Sequence, residues 1–210
     1  MNHRGAWVRA WVLTVAAAVV VVAPLPAFFR WLGERPGRVP WEPLHPHLPP
    51  VDLSVPLFVV LYGAILFGIA KLVRHPGVLL RTARAYLLML VLRMVSMALF
   101  TLEPPAGMIP LRDPVTLLFY PDHQPFAKDL FFSGHTATVF LFLLAVPGRG
   151  AKVVLGLATV LVAAAVVVQR FHWTVDVLAA PAFVALAWRG AGLLLPHRAG
   201  ASGRPDTGGV

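Results

Sequence analysis

The chain has 210 residues, 58% of them hydrophobic and only 13% charged, with a formal charge of +9 and no cysteine. A soluble domain of this length needs far more polar surface, and without thiols neither a disulfide framework nor cysteine chemistry is open to it. The basic residues form no continuous tract but sit at the ends of apolar blocks, which argues against a nucleic-acid surface and for orientation in a membrane.

Taken in chain order, the apolar blocks predict six membrane-spanning helices at about 10–29, 54–70, 85–102, 133–146, 153–168 and 174–195. The expected fold is an all-α, polytopic six-helix bundle forming one catalytic domain over residues 1–196, followed by a polar, Gly-rich, disordered tail at 197–210. The first block also has the form of a cleavable signal peptide, with a basic start and Ala23-Pro24-Leu25-Pro26-Ala27 at its end, but reads better as a retained span. Arginines and lysines crowd the N-terminus, the connections after spans two and four, and the C-terminus. The acidic residues Glu34, Glu42, Asp52, Glu103, Asp113, Asp122 and Asp129 fall on the other set of loops. By the positive-inside rule both termini are cytoplasmic and the acidic loops face outward.

Two stretches put ionisable groups at the outward mouths of spans, where charge is costly and functional roles are the default. One is Lys128-Asp129-Leu130-Phe131-Phe132-Ser133-Gly134-His135-Thr136, leading into span four; the other is Arg170-Phe171-His172-Trp173-Thr174-Val175-Asp176, leading into span six. At the helical rise, His135 lies about 20 Å above Arg149 and Asp176 about 20 Å above Arg189, so both clusters sit at one depth, as a shared pocket requires. His172 and Asp176 are four residues apart, on one face of a helix that starts at His172. A carboxylate on one ring nitrogen sets the tautomer and leaves the other nitrogen nucleophilic. His135 then serves as acid and base, and Ser133-Gly134 offers a hydroxyl and backbone N–H groups to phosphate oxygens at a helix start.

Ser133-Gly134-His135-Thr136 together with His172-Trp173-Thr174-Val175-Asp176 resembles the two signature motifs of the sphingomyelin synthase-like branch of the type 2 phosphatidic acid phosphatase superfamily. The likeness extends to Asp129 through Thr136, to Leu92-Arg93-Met94-Val95-Ser96-Met97 with Thr101-Leu102-Glu103-Pro104-Pro105, and loosely to Leu48-Pro49-Pro50-Val51-Asp52. The resemblance implies six spans, an outward site, His172 as nucleophile oriented by Asp176, and His135 as acid/base. It further implies a lipid phosphotransferase that moves a phospho-head group through a phosphohistidine, or hydrolyses it in the manner of a phospholipase C. Its partners would be a glycerophospholipid donor and a ceramide, a diacylglycerol or water as acceptor. The wider superfamily carries a Lys followed seven residues on by Arg-Pro, and an Arg six before the second histidine. This chain lacks the first, and Arg170 is only two residues before His172. Both departures point away from ordinary phosphatidate or polyprenyl pyrophosphate phosphatases, the alternative enzyme reading. A silent lipid transporter or scaffold is the alternative outside enzymology.

Other positions have two readings each. Asp129 is a solvated loop residue or a partner of His135; Arg93, deep in span three, binds phosphate or pairs with Glu103 or Asp176. Arg170 contacts substrate phosphate or anchors at the interface, and Glu103 belongs to the site or to the loop. His45, His47 and His123 lie in Pro-rich loops without a third ligand at useful spacing, so neither metal nor other cofactor is expected. The tryptophans mark interfaces. Abundant Ala, Val and Pro with Arg over Lys suits a GC-rich bacterial source and its plasma membrane, with no nucleic-acid partner and the oligomeric state open.

Overall fold

The computed structural model describes residues 3–113, 115–123 and 126–194; the predicted tail lies outside them. Among these residues the framework is seven α-helices: α1 (His3–Val22), α2 (Leu25–Gly33), α3 (Ser54–Leu72), α4 (Pro76–Leu99), α5 (Gly134–Ala145), α6 (Arg149–Val168) and α7 (Thr174–Leu193). Among the described residues extended pairing is confined to one parallel bridge, Arg38 to Leu102. Among the described residues four segments are long and apolar enough to cross a membrane: Arg4–Gly33, Ser54–Leu72, Arg149–Val168 and Thr174–Leu193. Their outer faces carry apolar side chains with nothing packed on them, such as Val12, Val19, Val59, Leu66, Leu157, Val160 and Leu178. A stable water-soluble surface does not look like this; a lipid-facing one does.

Departures from the predicted spans have local causes. The first span is two helices, because Pro24 and Pro26 interrupt the backbone ladder between Val22 and Leu25. The short α2 then turns Leu25, Phe29 and Leu32 inward onto Met97 and Tyr120. The third predicted span is α4, which starts nine residues before the predicted position 85, at Pro76, a residue suited to a first helical turn. Two of its arginines find partners near the end of α7: Arg81 donates to Trp188 O at 2.9 Å and Arg84 to Leu194 O at 2.7 Å.

After the nine-residue α2, the shortest helix is α5, with 12 residues, about 18 Å at the helical rise. That is well under the roughly 30 Å of a hydrocarbon core. It is buried on two sides. Val139 and Phe142 pack with α3 and α6 around Leu61, Leu155 and Val162, while Ala137 and Leu141 pack with α4 and α7 around Met89, Ala180 and Val184. Close approach is built in: a Cβ at Gly68 would lie 2.4 Å from the Phe142 ring, so α3 meets α5 only with glycine there. The chain thus buries the N-terminus of α5 at the centre of one end of the bundle, beside the start of α7 and the last turns of α4.

Candidate functional site

Loops at this end interlock before any chemistry is considered. Arg38 N–H donates to Thr101 O (2.9 Å) and Glu103 N–H to Arg38 O (3.0 Å). A Cβ on Gly37 would stand 2.6 Å from the Glu103 nitrogen, so the crossing needs glycine. The Glu103 carboxylate accepts from Gly37 N–H at 2.6 Å and from Lys128 Nζ at 3.0 Å. Glu42 reaches the first residue of α7, accepting from Thr174 N–H at 2.8 Å and its hydroxyl at 2.7 Å. Arg170, in a left-handed conformation (φ 55°), donates to the carbonyls of His45, Leu48 and Ala106 and so ties three loop strands together.

Beneath this cover, two imidazoles meet. The His135 and His172 ring centroids are 5.9 Å apart, at an interplanar angle of 63°. Ser133 caps α5, accepting from Thr136 N–H, and its own N–H donates to the Asp176 carbonyl, so the starts of α5 and α7 are joined. Asp176, in the first turn of α7, is fully buried, and its Oδ2 accepts from Trp173 N–H at 3.1 Å and faces His172 Nδ1 at 3.2 Å. Those contacts assign the proton to Nδ1 and leave Nε2 with its lone pair. Burial pushes the His172 imidazolium down by more than Asp176 holds it up, so the ring is neutral near pH 7.

Arg93 finds its partner in Asp129. The two form a buried ion pair, Arg93 also donates to Phe132 O, and Tyr120 O–H donates to the other Asp129 oxygen at 2.5 Å. Gly134 makes room, because a Cβ there would lie 3.0 Å from the guanidinium. Asp129 is held below the usual carboxylate range: burial raises it, but the Arg93 charge and the Tyr120 hydroxyl outweigh that. Of the pairings considered for Arg93, the structure therefore has neither Glu103 nor Asp176.

A cavity of about 450 Å³ opens in front of this cluster. Its walls are Val22, Leu25 and Phe29 on one side, Leu61 and Ile65 on another, and Met89, Met94 and Met97 along α4. Its polar end carries His135, Arg93, Asp129, Asp113, Tyr62, Tyr120 and Gly134. His172, only 1% exposed, lies outside that lining, as do Arg170 and Glu103. The structure thus brings His135, His172, Asp176, Ser133, Gly134, Arg93 and Asp129 together, and puts Glu103 and Arg170 in the loop cover.

Asp113 is one of the residues that sequence reasoning missed, with Tyr62 and Tyr120. It comes from the long connection between α4 and α5, where no periodicity marks it, yet its Oδ2 lies 3.5 Å from His135 Nε2. Its ionised form is favoured: burial raises its pKa, but contacts with His135 and Tyr62 bring it below the ordinary value. Glu42 is lowered too, burial being outweighed by Thr174, and so is Glu103, by Gly37 N–H and Lys128. A carboxyl depressed in the folded state stabilises it above its unfolded pKa and loses that contribution as pH falls through the folded value. The loop cover is therefore expected to be looser below about pH 4 than at about pH 7, and His45 in the same cover, its imidazole held below the ordinary value by burial, acts in the same direction as pH falls. Hydrogen exchange of loop amides against those of α6 checks this; equal protection at both pH values would contradict it.

Residues 128–191 match the family model described as PAP2 superfamily C-terminal, a stretch that takes in both histidine motifs and most of α7. No curated protein and no solved structure matches the chain.

Proposed function

We propose that this chain, whose likeness to the PAP2 superfamily spans both histidine motifs, is an integral membrane lipid phosphotransferase working through a phosphohistidine. The observation that carries the reading is the pair of facing imidazoles. One is held by a buried carboxylate, and the other stands at the polar end of an apolar cavity. His172 Nε2 attacks the phosphorus of a phospholipid head group. The P–O bond to the lipid alcohol breaks, and the alcohol leaves with a proton from His135. An acceptor hydroxyl, deprotonated by His135, then takes the phospho-head group from His172 and restores both rings. Asp176 keeps the His172 tautomer through both steps. Ser133 and Gly134 stand where the first turn of α5 offers N–H groups to phosphate oxygens, the arrangement favoured at helix starts.

Two features support a phosphodiester lipid over a phosphomonoester. Among the described residues, the cation at the cavity is Arg93, and Asp129 already neutralises it. Asp113 and Asp176 add negative charge close by. A dianionic phosphate would meet more repulsion there than a diester monoanion. The cavity wall suits hydrocarbon, so the acceptor in this reading is itself a lipid alcohol, a ceramide or diacylglycerol, with water as the competing acceptor. The clustering of basic residues at the opposite end supports six crossings, with cytoplasmic termini and the site facing outward across a bacterial plasma membrane.

The test is lipid product analysis by mass spectrometry, with purified protein in liposomes of phosphatidylcholine and phosphatidylethanolamine, with and without ceramide. A new sphingophospholipid that His172→Ala does not make is the expected result. Diacylglycerol with free phospho-head group alone would make the enzyme a hydrolase. Absence of any His172-dependent product, also with phosphatidate and polyprenyl pyrophosphate, would overturn the reading.

A further inference from the structure

We infer that Asp113 is a positioning residue for His135, doing for the acid/base histidine what Asp176 does for His172. The inference rests on the mechanism proposed above and adds a second carboxylate–imidazole pair to it. Asp113 Oδ2 lies 3.5 Å from His135 Nε2, and the two side chains are 7% exposed each. The carboxylate's other oxygen is anchored by two hydrogen bonds. Tyr62 O–H donates to Oδ1 at 2.6 Å from α3, and Val115 N–H donates to the same oxygen at 2.9 Å. With Oδ1 so anchored, Oδ2 faces the histidine.

The consequence for His135 is orientational. A carboxylate at one ring nitrogen fixes the plane of the ring and leaves the opposite nitrogen to exchange protons, the same logic by which carboxylates orient catalytic and metal-bound histidines. Both ring nitrogens of His135 are buried and neither makes a hydrogen bond among the described residues; Nε2 has the Asp113 carboxylate at 3.5 Å, and Nδ1 has no such contact. A buried ring nitrogen left in that state is unusual in a purely structural histidine. It is what a proton donor needs when its partner is the departing lipid oxygen. In the first step the proton passes from His135 to that oxygen as the P–O bond breaks. In the second the acceptor hydroxyl returns a proton to the ring. Asp113 keeps its charge through both and neither gains nor loses a proton.

A structural role for Asp113, as an anchor of the connection between α4 and α5, is separated from a positioning role by dependence on the leaving group. A lipid alkoxide is a poor leaving group and needs its proton, whereas 4-nitrophenolate leaves without one. The substrates are phosphatidylcholine or phosphatidylethanolamine, whichever is turned over in a His172-dependent way, and the 4-nitrophenyl ester of the same phospho-head group. The readouts are single-turnover release of diacylglycerol and the first-turnover burst of 4-nitrophenolate. Asp113→Asn is expected to slow diacylglycerol release about 100-fold and the burst by less than about 3-fold, the pattern of His135→Ala. Tyr62→Phe, which removes one anchor and keeps the ring, should show the same selectivity with a smaller loss. The burst is also the folding control, since it comes from the same protein sample. Equal slowing of both substrates by Asp113→Asn, or no slowing of the lipid, would overturn the inference while leaving the enzyme reading intact. A burst that survives His172→Ala would overturn both.

Discussion

His172→Ala is expected to abolish turnover of every phospholipid the protein accepts, by at least about 1,000-fold, while the protein still folds and inserts. The ring is nearly fully enclosed and bonded on Nδ1, so Nε2 is its one reactive position in the proposed mechanism. Removing a covalent nucleophile leaves no alternative first step, and mutations of such units typically cost several orders of magnitude. Asp176→Asn keeps the shape and loses the carboxylate that sets the tautomer, an effect of about 10⁴-fold where the same arrangement has been dissected in serine proteases. The adduct itself is the sharper measurement. In His135→Ala supplied with a 4-nitrophenyl ester, the first step needs no acid and the second lacks its base, so a phosphorylated head group should accumulate on the protein. Intact mass should show it, acid should release it, and peptide mapping should put it on His172. An adduct elsewhere, or none in any variant that releases 4-nitrophenolate, would replace the two-step mechanism with direct displacement.

The second large effect concerns stability. Asp129→Ala should destabilise the protein by about 3–5 kcal/mol, because it strands the Arg93 guanidinium in the interior. Both side chains are under 10% exposed, and Tyr120 loses its acceptor as well. Replacing both partners with apolar residues of similar size, Arg93→Met with Asp129→Leu, should recover most of the loss, since a buried pair offsets its own desolvation only when both members are present. Thermal unfolding in detergent, arranged as a double-mutant cycle, reads this directly. Additive losses from the two single changes would mean that the residues do not act as a pair. Activity need not return with stability: the double replacement also removes the cavity's charged floor, so a stable but inactive protein is expected.

How much of this was legible in the sequence differs by element. Hydropathy alone outlined α3, α6 and α7 to within a few residues, because long apolar runs bounded by polar loops have few other solutions. It blurred α1 and α2 into one span, since composition does not weigh the missing N–H groups of Pro24 and Pro26. The start of α4 was hidden by Arg81 and Arg84, which read as loop charges until carbonyls of Trp188 and Leu194 are seen to take them up. In the site, the motif residues were visible because their order and spacing carry information. Tyr62, Tyr120 and Asp113 were not, being brought in from a helix face and a long connection with no periodic signature.

By itself, then, the sequence determined an all-helical, membrane-compatible chain with histidines and carboxylates gathered at the starts of α5 and α7. Apolar period, helix starts and the four-residue step from His172 to Asp176 are local properties, and local properties survive without knowledge of the fold. The tertiary structure alone decided the partners: Asp129 for Arg93, Asp113 for His135, and loop carbonyls for Arg170. The physical reason is that a buried charge must be matched wherever the chain can bring a counter-charge or donor, and that choice depends on which loops the bundle folds over its end.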